Sequence, residues 1–261
     1  GGPAERQEYD DASPWWGEHA SRYQWAAQYV PGKVVLDAAC GSGFGSSLLA
    51  NAGAAAVAGV DLDSSTISNA GRIFSGRQVE YFVGDVTKLP FAAQTFDVVT
   101  SFETIEHIPD FMAILREFRR VLKEDGLLFC STPNRTITSP DGVILNPYHF
   151  REFTGPEFGQ VLSDVFSEVR LLGQRCRRDL EDAALSRLVW RGLTLRGIRK
   201  LPWRMREILS QILTYSPLFP AVEEFVFTPD PAKAPTLLGV CGNSKALAEW
   251  IEQESPGAEE L

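Results

Sequence analysis

Apolar and polar residues alternate along this chain in two periods, one typical of buried strands and one typical of amphipathic helices. Short apolar runs, each followed by a turn, predict strands at 34–36, 56–60, 79–83, 96–99 and 127–129. Apolar residues at helical spacing predict crossover helices at 46–52, 64–74 and 111–122. This alternation predicts an α/β fold, with a parallel sheet and helices on both faces.

The pattern continues beyond residue 150. Thr154 and Glu157 form a capping-box pattern, which predicts a helix that runs to about residue 163. Two further strands are predicted at 165–172 and 236–241. The prediction is therefore a Rossmann-like sheet of seven strands with helices on both faces.

Two segments lie outside this core pattern. A helix rich in tryptophan and tyrosine is predicted to open at Ser13–Pro14 and to run to about Tyr29, either packed on the sheet or placed as a lid. An insertion at 175–233 separates strands 6 and 7, and prolines at 217–235 mark a loop at its end. We expect a single domain over residues 1–261 that carries this helical insertion as a lid or cap.

Composition limits the class of protein. A chain of 261 residues that is 44% hydrophobic can bury a large core. The net charge of -9 argues against a nucleic-acid substrate, which requires clustered Lys and Arg. The four cysteines have no paired spacing, so we expect reduced thiols and a cytoplasmic location. No apolar run reaches about eighteen residues, and the N-terminus has no apolar signal core.

The insertion differs in charge from the rest of the chain. Residues 175–206 contain ten Lys or Arg and three Asp or Glu, and the basic residues of 187–206 interleave with aromatic and aliphatic ones. One interpretation is a helical lid that meets an anionic membrane or an acidic substrate, which would place the protein peripherally at the inner face of the membrane. The other is a helical cap that packs on the sheet or on a second subunit, so monomer and homodimer both remain open.

A glycine-rich turn follows the first strand. Residues 34–45 run from an apolar strand through Asp37, Gly41 and Gly43 into a helix, and such a turn brings backbone N–H groups close to a nucleotide-like ligand. The second and third strands end near Asp61 and Asp85. Because ligands of open parallel sheets lie beyond the carboxyl ends of the strands, we expect the three acids to converge on one crevice.

The turn, the strand-end acids and the following strands, in this order, resemble the class I S-adenosylmethionine-dependent methyltransferases. The resemblance covers about residues 20–173 and resumes near 234, and it implies S-adenosylmethionine as cofactor. Ala39 departs from the family pattern, because a glycine usually stands at that position. If the N-terminal helix is a lid, Arg22 or Tyr23 would lie near the methionine carboxylate of the cofactor. The other residues expected to bind the cofactor are Asp37, Ala39, Gly41, Gly43, Asp61, Leu62, Asp85, Val86 and Phe102.

Acids and histidines cluster after the fourth strand. If the segment 101–108 is helical, Glu103, Glu106 and His107 stand at i, i+3 and i+4 and face one way. Two carboxylates and an imidazole suit a divalent ion, and His149 in a later loop is the candidate for a fourth ligand. Two of the three histidines of the chain thus fall in loops expected at the cofactor face.

Two other interpretations of these residues stay open. Without a metal, His107 or His149 could be the catalytic general base, since imidazole titrates near neutral pH. Alternatively, Glu106 and His107 could form an ion pair at a helix start and His149 could simply pack in its loop.

The pattern Glu-x-x-Glu-His with a later His resembles the ubiquinone-biosynthesis O-methyltransferases, the small-RNA 2′-O-methyltransferases and related sugar or glycan methyltransferases. The resemblance implies Mg²⁺ or Mn²⁺ bound by Glu103, Glu106, His107 and His149 and chelated by two neighbouring substrate hydroxyls. We expect O-methylation of a vicinal diol, with a sugar or glycan as the first choice of acceptor, a catechol-like quinone precursor next and RNA last. A metal-free O- or N-methyltransferase is the alternative.

Overall fold

The strands of the protein form one mixed sheet in a computed structural model that describes residues 16–74, 76, 78–177 and 220–254. The strands are β1 (Val34–Ala38), β2 (Ala56–Asp61), β3 (Val79–Val83), β4 (Phe96–Phe102), β5 (Leu122–Pro133), β6 (Glu168–Cys176), β7 (Phe225–Thr228) and β8 (Thr236–Gly242). Their order in the sheet is β3-β2-β1-β4-β5-β8-β6-β7. Neighbours from β3 to β5 are parallel, whereas β8 is antiparallel to β5 and β6, and β7 is antiparallel to β6.

Helices connect these strands. They are α1 (Trp16–Ala26), α2 (Phe44–Asn51), α3 (Ser64–Ile73), α4 (Phe111–Val121), α5 (Arg135–Thr138), α6 (Gly155–Ser163) and α7 (Ser244–Glu254), with 3-10 turns at Ala27–Tyr29, Ile105–His107, Val222–Glu224 and Pro231–Lys233. Side chains fix several starts: Asp63 caps α3, Asp110 caps α4, and Thr154 and Glu157 form the predicted capping box of α6. Each cap satisfies backbone N–H groups that have no partner within the helix.

The core lies on both faces of the sheet, because successive strand residues point to opposite sides. Val98 and Phe129 pack with residues of α1, α2 and α7 in one cluster. Val99 and Leu128 pack with residues of α4 and α6 in the other. The predicted α/β fold with helices on both faces is therefore confirmed.

Several details of the prediction are corrected. The sheet has eight strands and not seven, because β7 pairs with β6 inside the stretch predicted to be a proline-marked loop. The sixth strand spans Glu168–Cys176 and not 165–172, since Val165 and Phe166 still donate backbone hydrogen bonds to the end of α6. The segment 101–108 is not one helix: β4 continues to Phe102, and only Ile105–His107 is helical.

Other predictions fall partly outside the described residues. The predicted start of the N-terminal helix lies outside them. Most of the predicted helical insertion, including its basic run at 187–206, lies in residues 178–219 and is also outside them. All four cysteines lie in the described part, are buried and form no disulfide. Among the residues described, no helix has the length and apolar character needed to cross a membrane.

Candidate active site

The glycine-rich turn between β1 and α2 adopts a left-handed backbone at three positions. The φ angles are 60° at Ala39, 52° at Gly41 and 84° at Gly43. A Cβ atom at Gly41 would meet nothing within 4 Å, whereas one at Gly43 would lie 2.7 Å from the Cβ of Ala70. The turn is therefore open at Gly41, where a ligand can approach the backbone, and tightly packed at Gly43.

Asp37 lies behind this turn and is fully buried. Its carboxylate accepts hydrogen bonds from the hydroxyl groups of Tyr23 (2.9 Å), Ser46 (2.7 Å) and Thr100 (3.0 Å). Burial raises the pKa of Asp37 to about 6, although these three hydrogen bonds lower it. The expectation that Asp37 faces the crevice with the other acids is therefore wrong. Asp37 instead joins α1, α2 and β4 beneath the turn.

Asp61 ends β2 beside the open part of the turn. One carboxylate oxygen accepts the backbone N–H of Gly41 at 3.1 Å, and the other accepts that of Asp63 at 3.0 Å. These bonds fix the orientation of the carboxylate, and each oxygen can accept more than one hydrogen bond. Asp61 thus lies beside the open part of the turn, and its contact to ribose hydroxyls stays a prediction.

The other residues predicted to bind the cofactor differ in exposure. The side chain of Leu62, directly after Asp61, is 73% exposed. Asp85 is exposed and accepts hydrogen bonds from the backbone and hydroxyl of Thr87. Val86 is buried in the core. Phe102 is also buried and contacts the Tyr23 ring edge-on, with 4.9 Å between ring centroids.

Arg22 of α1 is a fully buried cation at this crevice. Its Nη1 donates to the amide oxygen of Gln174 at 2.5 Å and to the Glu18 carboxylate at 3.4 Å, while Nε and Nη2 have no hydrogen-bond partner among the described residues. A buried guanidinium with unused donors is costly unless an anion completes it. The methionine carboxylate of S-adenosylmethionine is such an anion, so the residues present fit this cofactor.

Glu103 occupies a different position from the one expected. It follows β4 with a left-handed backbone, φ 52°, and its carboxylate accepts the hydroxyl of Ser131 at 2.7 Å. Its Oε1 lies 4.0 Å from Nη2 of Arg22. The helical spacing expected to align Glu103 with Glu106 and His107 does not exist here. The structure therefore places Glu103 beside Arg22 and does not group it with the other three predicted metal ligands.

Those three residues do come together. One ligand atom each from Glu106, His107 and His149 lies within 4.8 Å of the other two. Nε2 of His107 lies 3.9 Å from Oε1 of Glu106, and the two imidazole rings are 4.8 Å apart. Glu106 is fully buried, and its Oε2 accepts the hydroxyl of Thr132 at 3.1 Å.

Backbone hydrogen bonds hold the loop of His149 against the turn of Glu106. The carbonyl oxygen of Glu106 accepts the backbone N–H of Phe150 at 2.8 Å. Nδ1 of His107 donates to the carbonyl oxygen of Tyr148 at 3.1 Å, so the lone pair of the neutral ring is on Nε2. A metal-binding histidine is commonly held in this way by its second nitrogen.

Sequence reasoning missed the polar residues around His149. Nδ1 of His149 donates to Glu152 at 2.9 Å, and the side-chain amide of Asn146 donates to Nε2 at 2.9 Å. All three stand within the segment 146–153. The sequence shows that several polar residues lie close to His149. Their spacing does not show which of them bonds to which nitrogen of the imidazole.

Comparisons with known proteins identify the class of domain. Residues 36–130 match a family described as a methyltransferase domain. A probable S-adenosylmethionine-dependent methyltransferase of Mycolicibacterium smegmatis is 35% identical over 156 residues, 59% of this chain and 60% of that protein. A ubiquinone biosynthesis O-methyltransferase of Paraburkholderia xenovorans is 35% identical over 155 residues, 52% of this chain and 66% of that protein. The chain thus spans about three fifths of the first of these relatives.

Solved structures support the fold alone. A possible histamine N-methyltransferase from Thermotoga maritima superposes with a TM-score of 0.57 at 14% identity, covering 87% of this chain and 92% of that one. A [4+2]-cyclase superposes with a TM-score of 0.55 at 16% identity, covering 93% and 89%. The fold therefore accommodates more than one chemistry, and the family rests on the sequence matches. The family match shows a methyltransferase domain over residues 36–130, and the longer matches show that the chain is similar to probable S-adenosylmethionine-dependent methyltransferases.

Proposed function

We propose that the protein transfers the methyl group of S-adenosylmethionine to one hydroxyl of a vicinal diol, with a divalent ion held by Glu106, His107 and His149. The observation that carries this proposal is the convergence of these three side chains within 4.8 Å of one another, from a turn after β4 and a separate loop. Bound S-adenosylmethionine supplies an electrophilic methyl group, and a bound divalent ion lowers the pKa of a hydroxyl that coordinates it.

The residues around the turn would hold the cofactor. Arg22 would donate its Nε–H and Nη2–H groups to the methionine carboxylate, and Asp61 would accept the ribose hydroxyls. The exposed side chain of Leu62 would offer an apolar contact to the adenine. Tyr23, packed against Gly45, brings α1 over the turn and limits access of water from that side.

The donor set also fits an ion. The 3.9 Å between His107 Nε2 and Glu106 Oε1 is a separation that two ligands of one metal ion can span. Three protein ligands leave coordination positions open, which two neighbouring hydroxyls of a substrate can fill. Because Glu103 is not in the group, the set has two nitrogen donors and one carboxylate, and this composition suits transition-metal ions such as Mn²⁺, Fe²⁺ or Zn²⁺ better than Mg²⁺.

The relatives favour oxygen as the methyl acceptor. The Paraburkholderia xenovorans protein and a Haemophilus ducreyi protein, 39% identical over 113 residues, are ubiquinone biosynthesis O-methyltransferases. We propose a sugar or glycan diol as the first acceptor class and a catechol-like ring as the second. Both place two hydroxyls on adjacent carbons, as the open coordination positions require.

One observation favours a second candidate mechanism, without a metal. The amide of Asn146 already donates to Nε2 of His149, so this nitrogen is a hydrogen-bond acceptor in the protein. An acceptor hydroxyl that displaced the amide would give its proton to the same atom, with Glu152 stabilising the imidazolium through Nδ1. In this mechanism the second hydroxyl of the diol is not needed.

The two mechanisms differ in the acceptors they allow. Transfer of a labelled methyl group would be measured on sugar diols, catechols, primary amines and the mono-deoxy or mono-hydroxy analogue of each diol. We expect transfer to one diol class and loss of at least about tenfold on its mono-hydroxy analogue. Equal rates on diol and mono-hydroxy acceptors would instead favour His149 as a general base, and transfer only to amines would contradict the proposed O-methylation.

A further inference from the structure

A chain of hydrogen bonds runs from Nδ1 of His149 to Glu152 and on to two hydroxyl groups. One carboxylate oxygen of Glu152 accepts Nδ1–H of His149 at 2.9 Å. The other accepts the hydroxyls of Thr138 at 2.6 Å and Ser139 at 2.7 Å. Glu152 is only 3% exposed, so three donors from two segments of the chain converge on one buried carboxylate.

The partners of this carboxylate require it to act as an acceptor. The hydroxyls of Thr138 and Ser139 both donate to one of its oxygens, and the other oxygen lies 2.9 Å from Nδ1 of His149. An ionised carboxylate can only accept hydrogen bonds, so the proton of a neutral His149 must reside on Nδ1.

The other side of the ring specifies the same tautomer. Oδ1 of Asn146 accepts the backbone N–H of Tyr148 at 3.0 Å, which turns the amide nitrogen toward Nε2 of His149. Because an amide nitrogen only donates, Nε2 must carry a lone pair. His107 is anchored likewise through Nδ1, by the carbonyl oxygen of Tyr148. Both imidazoles of the site are thus oriented by one loop, and both present Nε2.

We propose that Glu152 is a positioning residue that locks His149 in the Nδ1–H tautomer and so presents the Nε2 lone pair to the ligand of the active site. Asn146 occupies that lone pair until the ligand displaces it. This inference rests on the proposed function only for the identity of the ligand, which is either a divalent ion or the hydroxyl group of the methyl acceptor. The tautomer itself is a property of the protein alone and can be measured without either.

The test is nitrogen NMR of the protein labelled with ¹⁵N-histidine. The chain has three histidines, so His149 can be assigned by its loss in His149→Gln. We expect Nδ1–H and an unprotonated Nε2 for His149 in the wild type. In Glu152→Ala the tautomer should shift toward Nε2–H, and in Glu152→Gln, which keeps an oxygen acceptor, Nδ1–H should largely return.

Binding of Mn²⁺, followed by its paramagnetic resonance signal, is the second readout. Loss of a hydrogen-bond partner behind a ligand commonly weakens metal binding by about 10–100-fold, and we expect Glu152→Ala to fall in that range. Glu157→Ala is the matched control, because Glu157 contacts Thr154 and Arg135 but no histidine. Its histidine tautomers and Mn²⁺ affinity should equal those of the wild type.

The outcomes separate this inference from the proposed function. A wild-type His149 that carries its proton on Nε2 would overturn the inference without any variant, even if Glu152→Ala failed to fold. A folded Glu152→Ala protein that retains Nδ1–H and wild-type Mn²⁺ affinity would overturn it as well. If the wild type binds no Mn²⁺ but the His149 tautomer changes in Glu152→Ala as described, the positioning role of Glu152 is supported. The metal-assisted mechanism of the proposed function is then contradicted.

Discussion

Arg22 and Glu103 lie side by side, with 4.0 Å between Nη2 of the guanidinium and Oε1 of the carboxylate. This distance is too long for a hydrogen bond. Arg22 comes from α1 and Glu103 directly follows β4, so two distant parts of the chain define one charged edge of the site. Burial raises the pKa of Glu103, and the charge of Arg22, a smaller effect, lowers it.

Arg22→Met should weaken cofactor binding. A hydrogen bond to a charged partner is worth about 1.5–3 kcal/mol, which corresponds to a loss of roughly 10–150-fold in affinity. Calorimetric titration with S-adenosylhomocysteine, which has the same methionine-derived carboxylate, measures the effect. Arg72→Met is the control, because Arg72 is exposed on α3 and bonds only locally, to Asn69. Equal affinities for Arg22→Met and the wild type would place the carboxylate elsewhere.

Substitution of the two predicted glutamate ligands should give different results. Glu106→Gln should weaken Mn²⁺ binding by at least about tenfold, since it removes the only carboxylate of the ligand group. Glu103→Gln should leave Mn²⁺ affinity within about threefold of the wild type, because its carboxylate is bonded to Ser131. A comparable loss in both variants would show that Glu103 turns to the ion when the ion binds, as the sequence pattern suggested.

The turn should tolerate a glycine at position 39 but no side chain at position 43. Gly43→Ala should destabilise the fold by more than about 2 kcal/mol, because it adds the cost of a left-handed alanine to contact with Ala70. Ala39→Gly should change stability by less than about 1 kcal/mol, since relief of the left-handed alanine is offset by greater freedom of the unfolded chain. Denaturant unfolding measures both, and a tolerated Gly43→Ala would contradict the packing at the turn.

Asp37 should make stability depend on pH in an unusual direction. Its pKa rises from 3.8 to about 6 on folding, so between these values the folded state binds more protons than the unfolded state. Stability from this group is therefore greatest at low pH and decreases as pH rises from about 4 to about 6, by at most about 3 kcal/mol. The measurement is the difference in unfolding free energy between the wild type and Asp37→Asn across this range. A difference that grows as pH rises would contradict the raised pKa.

Much of the fold was predictable because its signals are local. The strand periods and the capping box at Thr154 depend only on neighbouring residues. The edge strand β7 was missed because its pairing with β6 crosses the insertion, and no local pattern marks a four-residue strand among prolines.

The site was predictable to a similar extent. The grouping of Glu106, His107 and His149 followed from the expectation that both loops meet at the cofactor face. Glu103 was placed wrongly because β4 continues to Phe102, beyond the end predicted for that strand, and the helical turn includes only Ile105–His107. Asp37 was placed wrongly because its three hydroxyl partners come from α1, α2 and β4, and no sequence spacing reveals them.

Removal of the metal tests the central claim most directly. Methyl transfer to the best diol acceptor would be measured before and after treatment with a chelator, and again after Mn²⁺ is restored. The predicted result is loss of nearly all transfer, recovery with Mn²⁺, and unchanged affinity for S-adenosylhomocysteine, because Arg22 and Asp61 do not belong to the ion's ligand group. Full activity in chelator, on both the diol and its mono-hydroxy analogue, would contradict the metal-assisted mechanism.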